Sequence, residues 1–259
     1  MNNQNIEKMI LTGLMAALVA VMTVAVAIPV PFTNGYIHPG DSMVFLSALI
    51  LGWKRGAVAA GIGSAFADLF LGYVYWAPWT LVIKACMALA VGLIVEKCAG
   101  KTRRVVVACI ALVVLWILFN AAVGGIMLYE AGHNAAALQE ALREDVESVT
   151  ALGVLLNRVQ RQLMAAALLI PVALLAVTFF LRKAENIIVP LVQIIGMTGG
   201  GILMVFGYYV GGGLIYGSFA VAALSVPANI VQFVGGFLIA SLLTAALKKT
   251  PIKKYFDRH

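Results

Sequence analysis

The sequence predicts an all-α, polytopic helical membrane protein. Three observations carry this. Of its 259 residues, 63% are hydrophobic and 11% are charged, against about 25% charged in an ordinary soluble domain. Several apolar runs approach or exceed ~18 residues, enough to cross ~30 Å of hydrocarbon as helix. The lysines and arginines gather in short loops between those runs, as the positive-inside rule requires. A barrel is excluded by the same runs, because barrel strands are short and alternate.

The formal charge of +7 does not indicate nucleic acid. No basic face or nucleic-acid motif is visible. Cys86, Cys98 and Cys109 are dispersed and odd in number, so they read as small apolar residues and not as disulfides or ligands. Lys8 precedes an apolar run, and Ala25-Val26-Ala27 resembles a cleavage site. The run is longer than the usual ~7–15 residues of a signal sequence, so it is kept as a spanning helix.

That first helix is expected over 6–30, ended by Pro29 and Pro31, which remove donors and restrain their predecessors. Ala16 and Ala20 form a small-xxx-small pair, open to packing inside the protein or to docking on a partner. A loop follows over 32–40, with Tyr36 and His38. The apolar segment 42–51 reaches only about half the bilayer at ~1.5 Å per residue. Such a piece belongs among neighbours around a cavity. Asp41 precedes it, positioned to cap a helix or to bind a ligand.

Trp53-Lys54-Arg55-Gly56 reads as a tight basic loop, and the third helix runs over 56–72. Gly56, Ala60 and Ser64 recur every four residues and lead to Asp68, a stripe for close helix contact. An aromatic turn with Tyr73, Tyr75 and Trp76 leads into the fourth helix, 79–95, which begins at Trp79 and carries Lys84. Asp68 and Lys84 fall at similar depths below the same face, about 6–9 Å. They either pair structurally or face a polar pocket.

After a second basic loop, an apolar run covers 105–128. The segment 129–162 then turns acidic and amphipathic, with Leu138, Leu142, Val146, Leu152, Leu156, Val159 and Leu163 at helical spacing. It is expected to lie outside the hydrocarbon, bent near Gly153. Further spans are expected over 163–181, 187–209 and 218–247. The last holds Pro227, Asn229 and Gln232, whose buried amides need partners. Eight spans put both termini on one side. With that side cytoplasmic, Lys8, Lys54, Arg55, Lys97, Lys101, Arg103, Arg104, Arg182, Lys183 and the C-terminal cluster lie inside.

No enzyme signature is present: no H-E-x-x-H, G-x-S-x-G or phosphate-binding loop. With His38, His133 and His259 as the only histidines, no metal site or cofactor is expected. The remaining chemistry is aromatic faces, a lysine and a few amides. This lining suits a small, flat, polar molecule.

The block GYIHPGDSMVFLSALILGWKRGAVAAGIGSAFADLFLGY, then WAPWTLVIKACMALAVGLI, GYYVGGGLIYG and SVPANIVQFVGGFLIA, resembles the substrate-binding S component of an energy-coupling factor (ECF) vitamin transporter. The resemblance covers about 6–97 and 189–247. It implies high-affinity binding and uptake of a vitamin or related precursor at the cell membrane. The implied partners are a membrane coupling subunit and two cytoplasmic ATPase subunits. It also implies Ala16 and Ala20 as the docking surface for the coupling subunit. By position it suggests Tyr36, Trp76, Trp79, Lys84, Tyr208, Asn229 and Gln232 as pocket lining, with Asp68 beside them.

This chain departs from the six-helix family core. Residues 105–185 insert two apolar helices and the outer amphipathic segment between a first core part, 1–104, and a second, 186–247. A basic tail, 248–259, follows. An even number of added spans keeps the last two helices in their orientation. Two other readings are open: a stand-alone carrier driven by protons through Asp68 and Lys84, and a membrane scaffold without a small ligand.

Overall fold

A computed structural model describes residues 3–31, 33, 35–142, 146, 148–182 and 190–256. The expected boundary near 185, the acidic residues Glu144, Asp145 and Glu147, and Arg143, Lys183 and His259 lie outside the described residues. Among the described residues, seven helices are long and apolar enough to cross a membrane. In order they are α1 (Asn3–Ala25), α2 (Asp41–Phe70), α3 (Ala77–Cys98), α4 (Thr102–His133), α6 (Val149–Leu181), α7 (Leu191–Tyr216) and α9 (Val226–Leu247). Short helices α5 (Ala135–Ala141), α8 (Phe219–Ala223) and α10 (Lys253–Phe256) lie between or after them.

The first helix ends at Ala25, earlier than the prolines predict. Residues of the expected helix end and loop instead form a two-stranded hairpin, β1 (Ile28–Val30) against β2 (Gly35–Ile37), with Pro29 opposite Tyr36. Proline suits this because a two-stranded ribbon has only edges, where a missing donor goes unused.

The expected break between 42–51 and 56–72 falls inside α2 and is tighter than a four-residue loop. Gly52 alone leaves helical geometry, at φ 77 and ψ 177. The chain doubles back there. A Cβ on Gly56 would lie 2.7 Å from the Cα of Ala48, a contact that a straight helix would place about 12 Å apart along its axis. The two halves of α2 therefore supply the second and third passes expected from sequence. Positive φ is cheap for glycine and costs about 1–2 kcal/mol for other residues. Gly52→Ala is expected to destabilise the protein by about that amount, read as a lowered midpoint of thermal unfolding in detergent. An unchanged midpoint would show that the turn tolerates a different backbone.

The core is built by α2, α3, α7 and α9, with Phe45, Met87, Val91, Met204 and Phe233 buried among them. Helices α4 and α6, in the stretch that the sequence reading takes as an insert, pack on one another, with the Trp116 indole N–H donating to the Ala166 carbonyl at 2.9 Å. They join the core through Phe119, whose ring meets Tyr209 edge-on at 5.7 Å. The amphipathic positions Leu138, Leu142, Val146, Leu152, Leu156, Val159 and Leu163 are all buried. The bend near Gly153 is absent: α6 is helical from Val149 through Gly153 and Pro171 to Leu181.

Both described ends of the chain meet at one end of the bundle, where the Tyr255 hydroxyl donates to the Glu7 carboxylate. The hairpin, the α2–α3 turn and the start of α9 lie at the other end, where Thr33, Tyr36, Asp68, Trp76 and Asn229 meet around one cavity.

Candidate functional site

The site begins with a buried ion pair. Lys84 is the eighth residue of α3, about two turns in, and is fully buried. An ammonium in that position must find an anion. Its partner is Asp41, not Asp68: Lys84 Nζ donates to Asp41 Oδ1, and both side chains are wholly buried. Similar depth for Asp68 and Lys84 did not decide their pairing, because depth leaves rotation about the helix axis open. Asp41, at the first residue of α2, makes no side-chain cap. It serves the lysine instead.

A chain of hydrogen bonds extends from this pair. Gln232 Nε2 donates to Asp41 Oδ2 at 2.9 Å. The His38 backbone N–H donates to Gln232 Oε1 at 3.1 Å. The Gly40 N–H donates to His38 Nδ1 at 3.1 Å, so that nitrogen acts as the acceptor of a neutral ring. Burial, with Lys84 nearby, lowers the His38 pKa to about 3, against an opposing pull from Asp41. This network ties α2, α3 and α9 to the residue that follows the hairpin. α9 reaches Asp41 because Gly236 has no side chain: a Cβ there would lie 2.8 Å from the Asp41 Cβ.

Beside this layer lies a small cavity of about 40 Å³. Six of the eight residues that sequence reasoning assigns to the pocket line it: Tyr36, Asp68, Trp76, Tyr208, Asn229 and Gln232. Trp79 and Lys84 are not among its lining. Trp79 is half-buried against Gly211, and Lys84 is held beneath by Asp41. The cavity also recruits His38, Thr80, Tyr216 and Ser225, which sequence reasoning did not assign to it. Tyr216 ends α7 and Ser225 precedes α9, and the course of Gly217 and α8 between them brings both in. Thr80 had a visible signal, lying one helical turn before Lys84 in an apolar run.

The polar geometry is specific. The Tyr36 hydroxyl donates to Asp68 Oδ1 at 2.6 Å. Burial and the Asp68 charge push the Tyr36 phenol far above its ordinary pKa, so it stays a donor. Asp68 is 3% exposed, and its other oxygen, Oδ2, is buried with no hydrogen-bond partner among the described residues. The Tyr208 hydroxyl donates to Thr80 Oγ1 at 3.2 Å. Lys84 Nζ lies 5.1 Å from the Tyr208 ring centroid. Aromatic faces enclose the space: Trp76 meets Tyr208 at 5.7 Å and Tyr216 at 6.1 Å, and Tyr36 meets Tyr73 at 4.6 Å.

In the C-terminal half of α1, Ala16 and Ala20 are half-buried. The Ala16 carbonyl lies directly against Gly63 of α2. The neighbouring small residues Gly13 and Ala17 are exposed.

Comparison with known proteins gives the family of the chain. A Pyrococcus woesei protein described as an uncharacterized protein in gap 3'region is 46% identical over 74 residues, which are 29% of this chain and 49% of that protein. A UPF0397 protein of Streptococcus agalactiae is 30% identical over 159 residues, 58% of this chain and 86% of that protein. The chain thus spans about half the length of the first relative and most of the second. No solved structure matches. The family profile described as ECF-type riboflavin transporter, S component, matches residues 3–161 and 164–249. That match takes in the cavity, the buried network and helices α4 and α6 apart from a two-residue gap, and it places the chain in the family of S components of ECF-type transporters.

Proposed function

We propose that this chain captures a neutral or cationic flat-ring vitamin, riboflavin first among them, for an uptake system energised by separate ATPase subunits. One observation carries the substrate class. The lysine beneath the cavity is neutralised by Asp41, while Asp68, with Thr80 and Tyr36 beside its carboxyl, presents to the cavity a buried oxygen, Oδ2, that has no hydrogen-bond partner among the described residues. A ligand there must bring a hydrogen-bond donor and no anionic group. Riboflavin meets this with a ring N–H and ribityl hydroxyls, and its flat ring suits Trp76, Tyr208 and Tyr216. Pantothenate, with its carboxylate, does not. The description of the matched family, which names riboflavin, supports the same choice.

The cavity of about 40 Å³ is far below the roughly 300 Å³ of a ligand pocket. Binding therefore requires the walls to part. The β1–β2 hairpin carries Tyr36 and leads to His38, and it is the wall with the least helical support. Its displacement breaks the Tyr36–Asp68 bond and frees both groups for the ligand.

The orientation proposed is both termini in the cytoplasm, because Lys8, Lys54, Arg55 and the residues near Tyr255 gather at one end. The cavity then opens outward. The coupling subunit is placed against α1 at Ala16 and Ala20, with exposed Gly13 and Ala17 widening the small-residue face. Ala17→Trp is the cleaner probe of this face, since a bulky residue at 16 would press on Gly63.

Titrating purified protein with riboflavin is expected to quench flavin fluorescence through the cavity's aromatic rings, and pantothenate is expected not to compete. Folded protein that leaves flavin fluorescence unchanged, while releasing a different small molecule on denaturation, overturns the riboflavin assignment. Uptake is expected only in cells that also make the coupling and ATPase subunits. Uptake without them would point to a stand-alone carrier.

A further inference from the structure

A second cavity lies at the other end of the bundle. Its volume is about 470 Å³. Its walls include Lys8 of α1, Trp53, Lys54 and Arg55 of the α2 turn, Glu96 of α3 and Tyr255 of α10. Asp68 is fifteen residues beyond Trp53 on one helix, about 22 Å away at ~1.5 Å per residue, so this cavity is separate from the vitamin site.

Three features of this cavity select one ligand chemistry. Three cations face one carboxylate across its lining. The Arg55 Nη1 is buried, yet has no hydrogen-bond partner among the described residues. A buried guanidinium nitrogen without an acceptor is costly, and its geometry fits a bidentate oxyanion. The second half of α2 also begins here, directly after Gly52. The start of that half, at Trp53, Lys54 and Arg55 on the cavity wall, carries the partial positive charge of a helix N-terminus.

We propose that this cavity binds a phosphate group, with Arg55 as its principal ligand and Lys8, Lys54 and the helix start in support. Leu11, Ile50 and Leu51 form an apolar side of the same cavity, which gives an acyl chain a surface to follow. The phosphate belongs either to an anionic phospholipid headgroup or to a soluble phosphate.

Thermal unfolding of the full chain separates these sources. One arm uses nanodiscs of phosphatidylcholine with and without phosphatidylglycerol. The other uses detergent-solubilised protein with and without inorganic phosphate. The expected result is a rise in Tm of about 5 °C in at least one arm. A rise with phosphatidylglycerol alone assigns a lipid headgroup, and a rise with inorganic phosphate assigns a soluble one. Arg55→Gln should abolish the rise. Arg103→Gln, a basic residue outside the cavity, should leave it intact. If Arg55→Gln does not fold, Arg55→Lys and Lys8→Gln take its place, each expected to reduce the rise by half or more. The proposal is overturned if neither probe raises Tm, if the Arg55 and Lys8 variants respond as the wild type does, or if Arg103→Gln loses the response equally. The last outcome would mean general charge attraction only.

Discussion

Lys84→Met is expected to destabilise the protein by about 3–5 kcal/mol, because it strands the Asp41 carboxylate in a fully buried position. The loss belongs to the abandoned charge and not to a missing ligand contact. Asp41→Asn in the same chain should therefore restore most of it. Asparagine keeps an oxygen to accept from Gln232 Nε2 and needs no cation. A bulkier replacement at 41 would fail for a different reason, since Gly236 leaves no room beside it. Thermal or chaotrope unfolding in detergent reads the stability, and flavin titration of the folded fraction reads binding. The expected pattern is a large stability loss in the single variant, recovery in the double variant, and riboflavin affinity in the double variant close to wild type. Wild-type stability with lost binding would return Lys84 to the role of ligand contact.

This pairing shows where sequence reasoning ran out. The order of the helices was legible, and so was the broken character of 42–51, because hydrophobic length and glycine and proline placement are local signals. That Asp68, Trp76, Tyr208 and Asn229 share one end of the bundle was legible from topology, whereas Tyr36 and Gln232 were named only through the family resemblance. The partner of Lys84 was not. Asp68 and Lys84 share a depth, but which face of α3 Lys84 occupies is set by packing against both halves of α2. The Gly52 reversal brings Asp41 to the lysine, and a sharp turn of one glycine leaves no distinctive pattern in the sequence. The hairpin was hidden similarly, since each strand has three residues and takes its meaning only from its partner. The continuity of α6 was masked because Gly153 costs a helix only about 1 kcal/mol, which packing of Leu152, Leu156 and Val159 outweighs.

Asp68→Asn is the substitution expected to weaken ligand binding most, by about 10- to 100-fold. That range corresponds to one hydrogen bond to a charged group, roughly 1.5–3 kcal/mol. The change is nearly isosteric, so the cavity shape and the ring stack of Trp76, Tyr208 and Tyr216 stay in place. Asparagine still accepts from Tyr36 through its oxygen. Its amide, however, presents donors where Oδ2 presented an acceptor, and a ligand donor then meets another donor. The folded protein itself should gain some stability, because a buried carboxylate oxygen without a partner is itself costly. Binding and stability thus move in opposite directions, a signature that general damage to the fold does not produce. Tyr36→Phe provides the graded comparison. It removes the donor to Asp68 Oδ1 and leaves the carboxylate, so its effect on affinity should be smaller, about fivefold. Riboflavin titrations of both variants beside their unfolding midpoints decide the matter: unchanged affinity in Asp68→Asn would remove the carboxylate from the ligand's contacts and with it the argument for a donor-bearing, non-anionic substrate.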